Sequence, residues 1–265
     1  MATGKTSANS DSVFQLIDST EPPSGPGSDM IATGTISLFG VQKHLSIQIL
    51  DHLAGLSDLI PLAWALSDVI MSETINHART LGKRTSCQQK CSACCGYLVP
   101  LAIPEVIRLF DEIQALPAQR SREMWGNSLS VAGRLLNNDA CEVPNGETTL
   151  ENLGVWYSDK QVTCPFLEND LCTIYDQRPL ACREYLVTTS PQCCRTDSEA
   201  VVEKLELPLS ILECLGEVAA DLEGTAVEGI MLPLILPWVL KNRERTQRRW
   251  SAQTMAQRFL DVLSA

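Results

Sequence analysis

The alternation of apolar and polar side chains is clearest just after the first thirty or so residues. Ile36 and Leu38 alternate with Thr35 and Ser37, and Leu45, Ile47 and Ile49 alternate with Ser46 and Gln48. That period of two, broken near Gly40, predicts a small β-hairpin. The pattern then turns helical. Asp58 can cap a helix with Pro61 in its first turn, and Leu62, Leu66, Val69, Ile70 and Glu73 recur at helical spacing until Gly82. Pro104 opens a second helix, with Val106, Ile107, Leu109, Phe110 and Ile113 on its apolar side. Pro117 breaks it, and a third segment runs to Leu136. Ile211, Leu215, Val218 and Leu222 form one stripe ending at Gly224, and a last helix is expected from Arg245 to Leu263.

There is no internal repeat, and no strand–helix alternation that would build a parallel sheet. The expected fold is mainly α, with a small N-terminal β-hairpin and a loop-rich cysteine cluster held between helices. Residues 1–29, rich in Ser, Thr, Gly and Pro, read as a disordered tail. A hairpin-and-helix leader is expected over 30–82 and a cysteine-cluster metal-binding domain over 83–200. The C-terminal helices, 201–265, should pack on the same core.

Composition narrows the function. A formal charge of −11 argues against general nucleic-acid binding, which wants a basic surface. The most apolar stretches, Leu59 to Met71 and Ala226 to Leu240, fall short of the ~20 residues that span a bilayer. No apolar signal run opens the chain. The expectation is a cytoplasmic protein with no membrane partner. Within this acidic chain Lys241, Arg243, Arg245, Arg248 and Arg249 stand out. On one helix Arg245, Arg248 and Arg249 would share a side with Ala252, Met255, Ala256 and Phe259. They read either as a solvated lead-in to a docked helix or as a seat for an acidic protein partner.

The chemistry lies in the eleven cysteines. An odd count without an export signal is poor material for disulfides, and clustered thiols in a reducing compartment point to metal ligands. The first cluster is Cys87, Cys91, Cys94 and Cys95. A Cys-x2-Cys turn brings two sulfurs to one metal at ~2.3 Å each, and Cys87 can add a third. Cys94 and Cys95 are adjacent, so their side chains should point in different directions, one of them toward a second metal or a supporting role. The second cluster is Cys164, Cys172, Cys182, Cys193 and Cys194. Asn169-Asp170 reads as a loop tip bringing Cys164 toward Cys172, and Pro179 as a first-turn residue of a short helix carrying Cys182 and Arg183. Nine sulfurs suffice for one cluster with spare thiols or for two four-ligand sites.

Lys90, Arg178, Arg183 and Arg195 all lie within four residues of a cysteine and are candidates to offset thiolate charge, Arg183 first among them. The three histidines lie outside the clusters, so the site reads as all sulfur. Such a shell suits an iron–sulfur cluster or zinc, and the Cys87/Cys91/Cys94 spacing leans toward iron–sulfur. Cys141 and Cys214 read as buried structural thiols.

These motifs resemble the YkgJ-type cysteine-cluster family, a zinc- or iron-chelating domain with a CxxCxxCC signature. The resemblance runs through Cys87 to Cys95, Tyr97-Leu98-Val99-Pro100, Cys164-Pro-Phe-Leu, Cys172, Arg178-Pro179 and Cys182-Arg183. The first spacing is Cys-x3-Cys-x2-Cys-Cys, one residue off the nominal pattern. A related branch, flagellin lysine N-methylase, implies methyl transfer from S-adenosylmethionine, but no glycine-rich nucleotide turn accompanies it here. Radical S-adenosylmethionine enzymes share the first spacing, yet the strand–helix repeats of their barrels are missing.

Overall fold

The computed structural model describes residues 12–17, 30–136 and 150–265. Three strands form an antiparallel sheet in the order β1-β3-β2: β1 (Phe14–Ile17), β2 (Met30–Leu38) and β3 (Val41–Ile49). Leu38 pairs with Val41 across a two-residue loop whose members, Phe39 and Gly40, both have positive φ, 51° and 81°. That is the turn whose twist matches a right-handed hairpin. Phe39 is an unusual occupant, and its ring stacks on His77 at 4.0 Å. The inward-facing Ile36, Leu38, Leu45, Ile47 and Ile49 are all buried.

The first strand corrects the expectation of a disordered tail over 1–29. Phe14 lies opposite Ile49 and is 1% exposed. Composition averaged over the tail hid this short stretch, in which burying one phenylalanine contributes roughly 1.5–3 kcal/mol. The free edge of β3 supplies the hydrogen-bonding partners.

A short strand, β4 (Leu53–Ala54), leads into a 3-10 turn over Leu56–Leu59 and then α1 (Ile60–Thr80). Asp58 accepts the Gly55 N–H at 2.7 Å, capping this entry from inside its first turn. Next come β5 (Pro100–Ala102), α2 (Ile103–Ala115) and α3 (Ala118–Leu136), with Pro117 between the two helices. They are followed by α4 (Leu150–Asp159), the tiny hairpin β6 (Leu167–Glu168) and β7 (Leu171–Cys172), α5 (Leu180–Arg183) and α6 (Ile211–Glu223). Ser210 caps α6 by accepting the Glu213 N–H. Beyond it lie β8 (Gly229–Met231), which pairs with β5, then α7 (Ile235–Lys241) and α8 (Arg243–Thr246). β9 (Trp250–Ser251), paired with β4, and α9 (Ala252–Leu263) complete the chain.

The last two helices correct the expectation of one helix from Arg245 to Leu263. The Trp250 indole donates to the Leu222 carbonyl at 2.9 Å, and its backbone pairs with Ala54. The chain is therefore extended at 250–251, and Ser251 starts a new helix by accepting the Thr254 N–H. Arg245 is consumed by internal contacts: its guanidinium grips Glu223 at 2.7 and 3.1 Å and Glu228 at 2.8 Å. The basic residues thus do not share the apolar face of α9.

The larger of two hydrophobic clusters runs from Phe14 to Leu263, drawing on the sheet, α1, α2, α6 and α9, and a smaller one gathers Leu135, Tyr157 and Val162. Among the described residues no helix is long and apolar enough to cross a membrane. The cysteine-bearing segments lie in loops and short elements between these helices.

Candidate metal centre

The first cluster is built from turns. Cys87 lies beside the segment 185–187, where the Val187 N–H donates to its sulfur at 3.4 Å and Ser86 N–H donates to Val187 O at 2.9 Å. Cys91 closes a turn onto Gln88 O, with Lys90 at a φ of 70°. Cys95 closes the next turn onto Ser92 O at 3.0 Å. In such a turn successive side chains do not alternate as they would in a strand. The two adjacent thiols act on each other, Cys95 lowering the pKa of Cys94 and being raised by it in turn. Gly96 then passes the segment after Cys194 closely: a Cβ there would stand 2.8 Å from Thr196 Cγ2.

The second cluster is stitched to the first through the backbone. Cys164 N–H donates to Cys95 O at 2.7 Å. Asn169 and Asp170, both at positive φ, turn the β6–β7 hairpin and set Leu167 opposite Cys172. Burial raises the thiols of Cys164 and Cys172, and the backbone N–H groups of Phe166 and Ile174 work against that rise. Backbone N–H donors of this kind steady thiolate ligands. Cys182 rides on α5, which starts directly after Pro179, and Cys193 and Cys194 sit in a 3-10 turn over Pro191–Cys194.

Two carboxylates that the sequence reading passed over hold α5 in place. Glu105, buried, accepts the Ala102 N–H at 3.1 Å and the Leu180 N–H at 2.7 Å, so one side chain caps both α2 and α5. Burial pushes its carboxyl up to about 7, against those two donors. Glu184, at the other end of α5, accepts from Ser210 Oγ and from the N–H groups of Ile211 and Leu212, at 2.8 to 3.1 Å. Glu105 was detectable as the third residue of a helix opening with proline, a capping-box position.

The four candidate cations divide. Arg178, lying 4.5 Å over the Tyr175 ring, is the one whose charge favours the thiolates of Cys87, Cys94 and Cys172. Arg183 is buried and engaged elsewhere: it donates to the carbonyls of Asp176 at 2.6 Å and Arg178 at 3.0 Å, pairs with Asp68 at 3.4 Å and lies over Trp64. Arg195 forks onto Asp197 at the surface, and Lys90 is exposed.

The sulfurs burden one another electrostatically. The neighbouring Cys95 thiol, helped by Arg178, holds Cys94 below the usual thiol range. Burial pushes Cys164 up to about 12 and Cys182 well above the usual thiol range, with neighbouring thiols adding to both. Cys194 is raised by burial and then by the charges of Cys94, Cys87, Cys91 and Cys193. Thiols crowded in this way are relieved by a bound cation, which replaces their protons. The ten described cysteines are all free thiols. As the side chains stand, no group of three or more His, Cys, Asp or Glu among the described residues is arranged to hold a metal ion. The donor chemistry therefore fits a soft metal, while the sulfurs are not yet in a cage. Cys214 is buried in α6, and Cys141 lies outside the described residues.

Residues 86–207 match a family model described as "CxxCxxCC: Putative zinc- or iron-chelating domain". No curated protein and no solved structure matches the chain. The matched span opens one residue before Cys87 and encloses Cys194, Glu184 and the hairpin that carries Cys172, and so the cysteine-bearing part of this chain, residues 86–207, is similar to the CxxCxxCC zinc- or iron-chelating domains.

Proposed function

We propose that the protein holds zinc or an iron–sulfur cluster through thiolates drawn from Cys87, Cys91, Cys94, Cys95, Cys164, Cys172, Cys182, Cys193 and Cys194. The observation that carries this reading is the 2.7 Å hydrogen bond from Cys164 N–H to Cys95 O, which brings two clusters far apart in sequence to one place. Eleven cysteines, an odd number gathered in clusters, support a reducing compartment, the cytoplasm, as its location. Zinc would supply a fixed tetrahedral tie between loops, and an iron–sulfur cluster would add one-electron chemistry. The chain's own part is to hold the sulfurs: the Val187 N–H donates to Cys87, and Arg178 tempers the charge of Cys87, Cys94 and Cys172. Among the described residues no three Cys, His, Asp or Glu side chains are already arranged around one point, so a metal would draw the sulfurs together on this backbone frame.

Metal analysis of anaerobically purified protein tests the reading. Iron with broad absorbance near ~400 nm, or zinc in a colourless protein, is the expected result. Cys91→Ala and Cys182→Ala should both lose most of the metal, while Cys214→Ala keeps it and costs about 1 kcal/mol of packing. Full retention in Cys182→Ala would remove the second cluster from the centre, and neither metal in fresh wild-type protein would end the proposal.

A further inference from the structure

A cavity of about 780 Å³ opens against the cysteine centre, with Cys94 and Cys182 in its wall. That size falls within the roughly 300–1,000 Å³ of small-molecule sites. The walls come from the segment 97–100, α4, the end of α5 and the first turn of α6. Leu98, Val155 and Leu212 contribute apolar surface, and the rings of Tyr97 and Tyr185 meet edge to face at 5.9 Å.

The charges in this lining are unequal. Among the described residues of the lining Lys204 is the one cation, against the carboxylates of Asp159, Glu184 and Glu213. Glu184 is occupied at the start of α6, which leaves Asp159 and Glu213 available. The Lys204 ammonium lies 5.1 Å over the Tyr185 ring, so an aromatic face in this wall already receives a positive charge. A phosphate or carboxylate ligand would meet two unanswered carboxylates beside a bank of thiols. We propose that the cavity binds a small organic cation with an apolar or aromatic body, next to the cysteine centre.

The proposal goes beyond metal binding and rests on the protein side chains of the lining, so it is tested on protein whose metal content is known. Its test is calorimetric titration of the purified protein with benzyltrimethylammonium, and with phenylacetate as the anion of similar size. Gly154 lies in the lining, and a Cβ there meets nothing within 4 Å, so Gly154→Trp extends an indole into open space. Saturable binding of the cation, little of the anion, and loss of binding in Gly154→Trp at an unchanged melting temperature are expected. The double variant Asp159→Asn/Glu213→Gln, which alters charge with little change in volume, should weaken the cation roughly fivefold or more. It decides the matter if Gly154→Trp proves unstable. Equal affinity for phenylacetate, no saturable binding of the cation, or a double variant that binds as wild type would overturn the proposal. Metal content measured on the same samples keeps a failure here distinct from a failure of the metal reading.

Discussion

Arg183 follows Cys182 directly in the chain, and that adjacency made it the leading candidate to offset thiolate charge. In the folded protein its fork ties the carbonyls of Asp176 and Arg178 to Asp68 of α1, with Trp64 beneath. It fastens the loop that carries Arg178, the cation that does favour the thiolates. Arg183→Ala should therefore destabilise the protein by about 3 kcal/mol, because buried acceptors and the loop between Tyr175 and Cys182 lose their tie. Arg183→Lys should recover little of this, since a point charge cannot serve several acceptors as a planar fork does. Urea unfolding of both variants checks the claim; a lysine variant as stable as wild type would reduce Arg183 to a simple charge. Residue types and their spacing were readable along the chain. The direction of a side chain was not, because one peptide bond separates Cys182 from Arg183 while a helical turn sends them to different neighbours.

At the scale of elements, local rules worked wherever local sequence decides the outcome. The hairpin around Gly40, the proline-led α2, the break at Pro117 and the serine-to-glycine limits of α6 all follow short-range chemistry. Gly40 gives a sharp test. Its φ of 81° is costly for any residue with a Cβ, while nothing lies within 4 Å of where that Cβ would be. Gly40→Ala should thus cost about 1–2 kcal/mol from backbone strain alone, read from a shifted thermal midpoint. A neutral result would mean that the turn relaxes freely. The periodicity failed at 245–263 and at 14–17, for one reason. Trp250 and Phe14 are placed by partners distant in sequence, Leu222 and Ala54 for the first, Ile49 for the second.

For the molecule as a whole, stability should be divided between a core and a metal-dependent face. The sheet, α1, α2, α6 and α9 share the hydrophobic core. The cysteine-bearing loops are held by a sparser set: Ser86 to Val187, Cys164 to Cys95, the Lys83–Glu203 ion pair and the bridge between Val187 and Lys204. A chelator should lower the melting temperature, and hydrogen exchange should localise the loss. Amides of Cys95, Cys164 and Val187 should lose protection at least ~10-fold on metal removal, while those of β2 and β3 change little. Uniform loss across loops and sheet would show instead that the metal is part of the global fold.

By itself the sequence determined the fold class, the main helices, the hairpin and the sulfur-rich chemistry, because periodicity, turn residues and ligand spacing act over a few residues. Tertiary structure alone decided that Cys95 and Cys164 share a backbone hydrogen bond. It also decided that Glu105 and Glu184 anchor the helix of Cys182, and that a cavity with excess negative charge lies against that centre. Each of these depends on segments separated by long stretches of chain or on side-chain direction, and both emerge only when the core between them is packed.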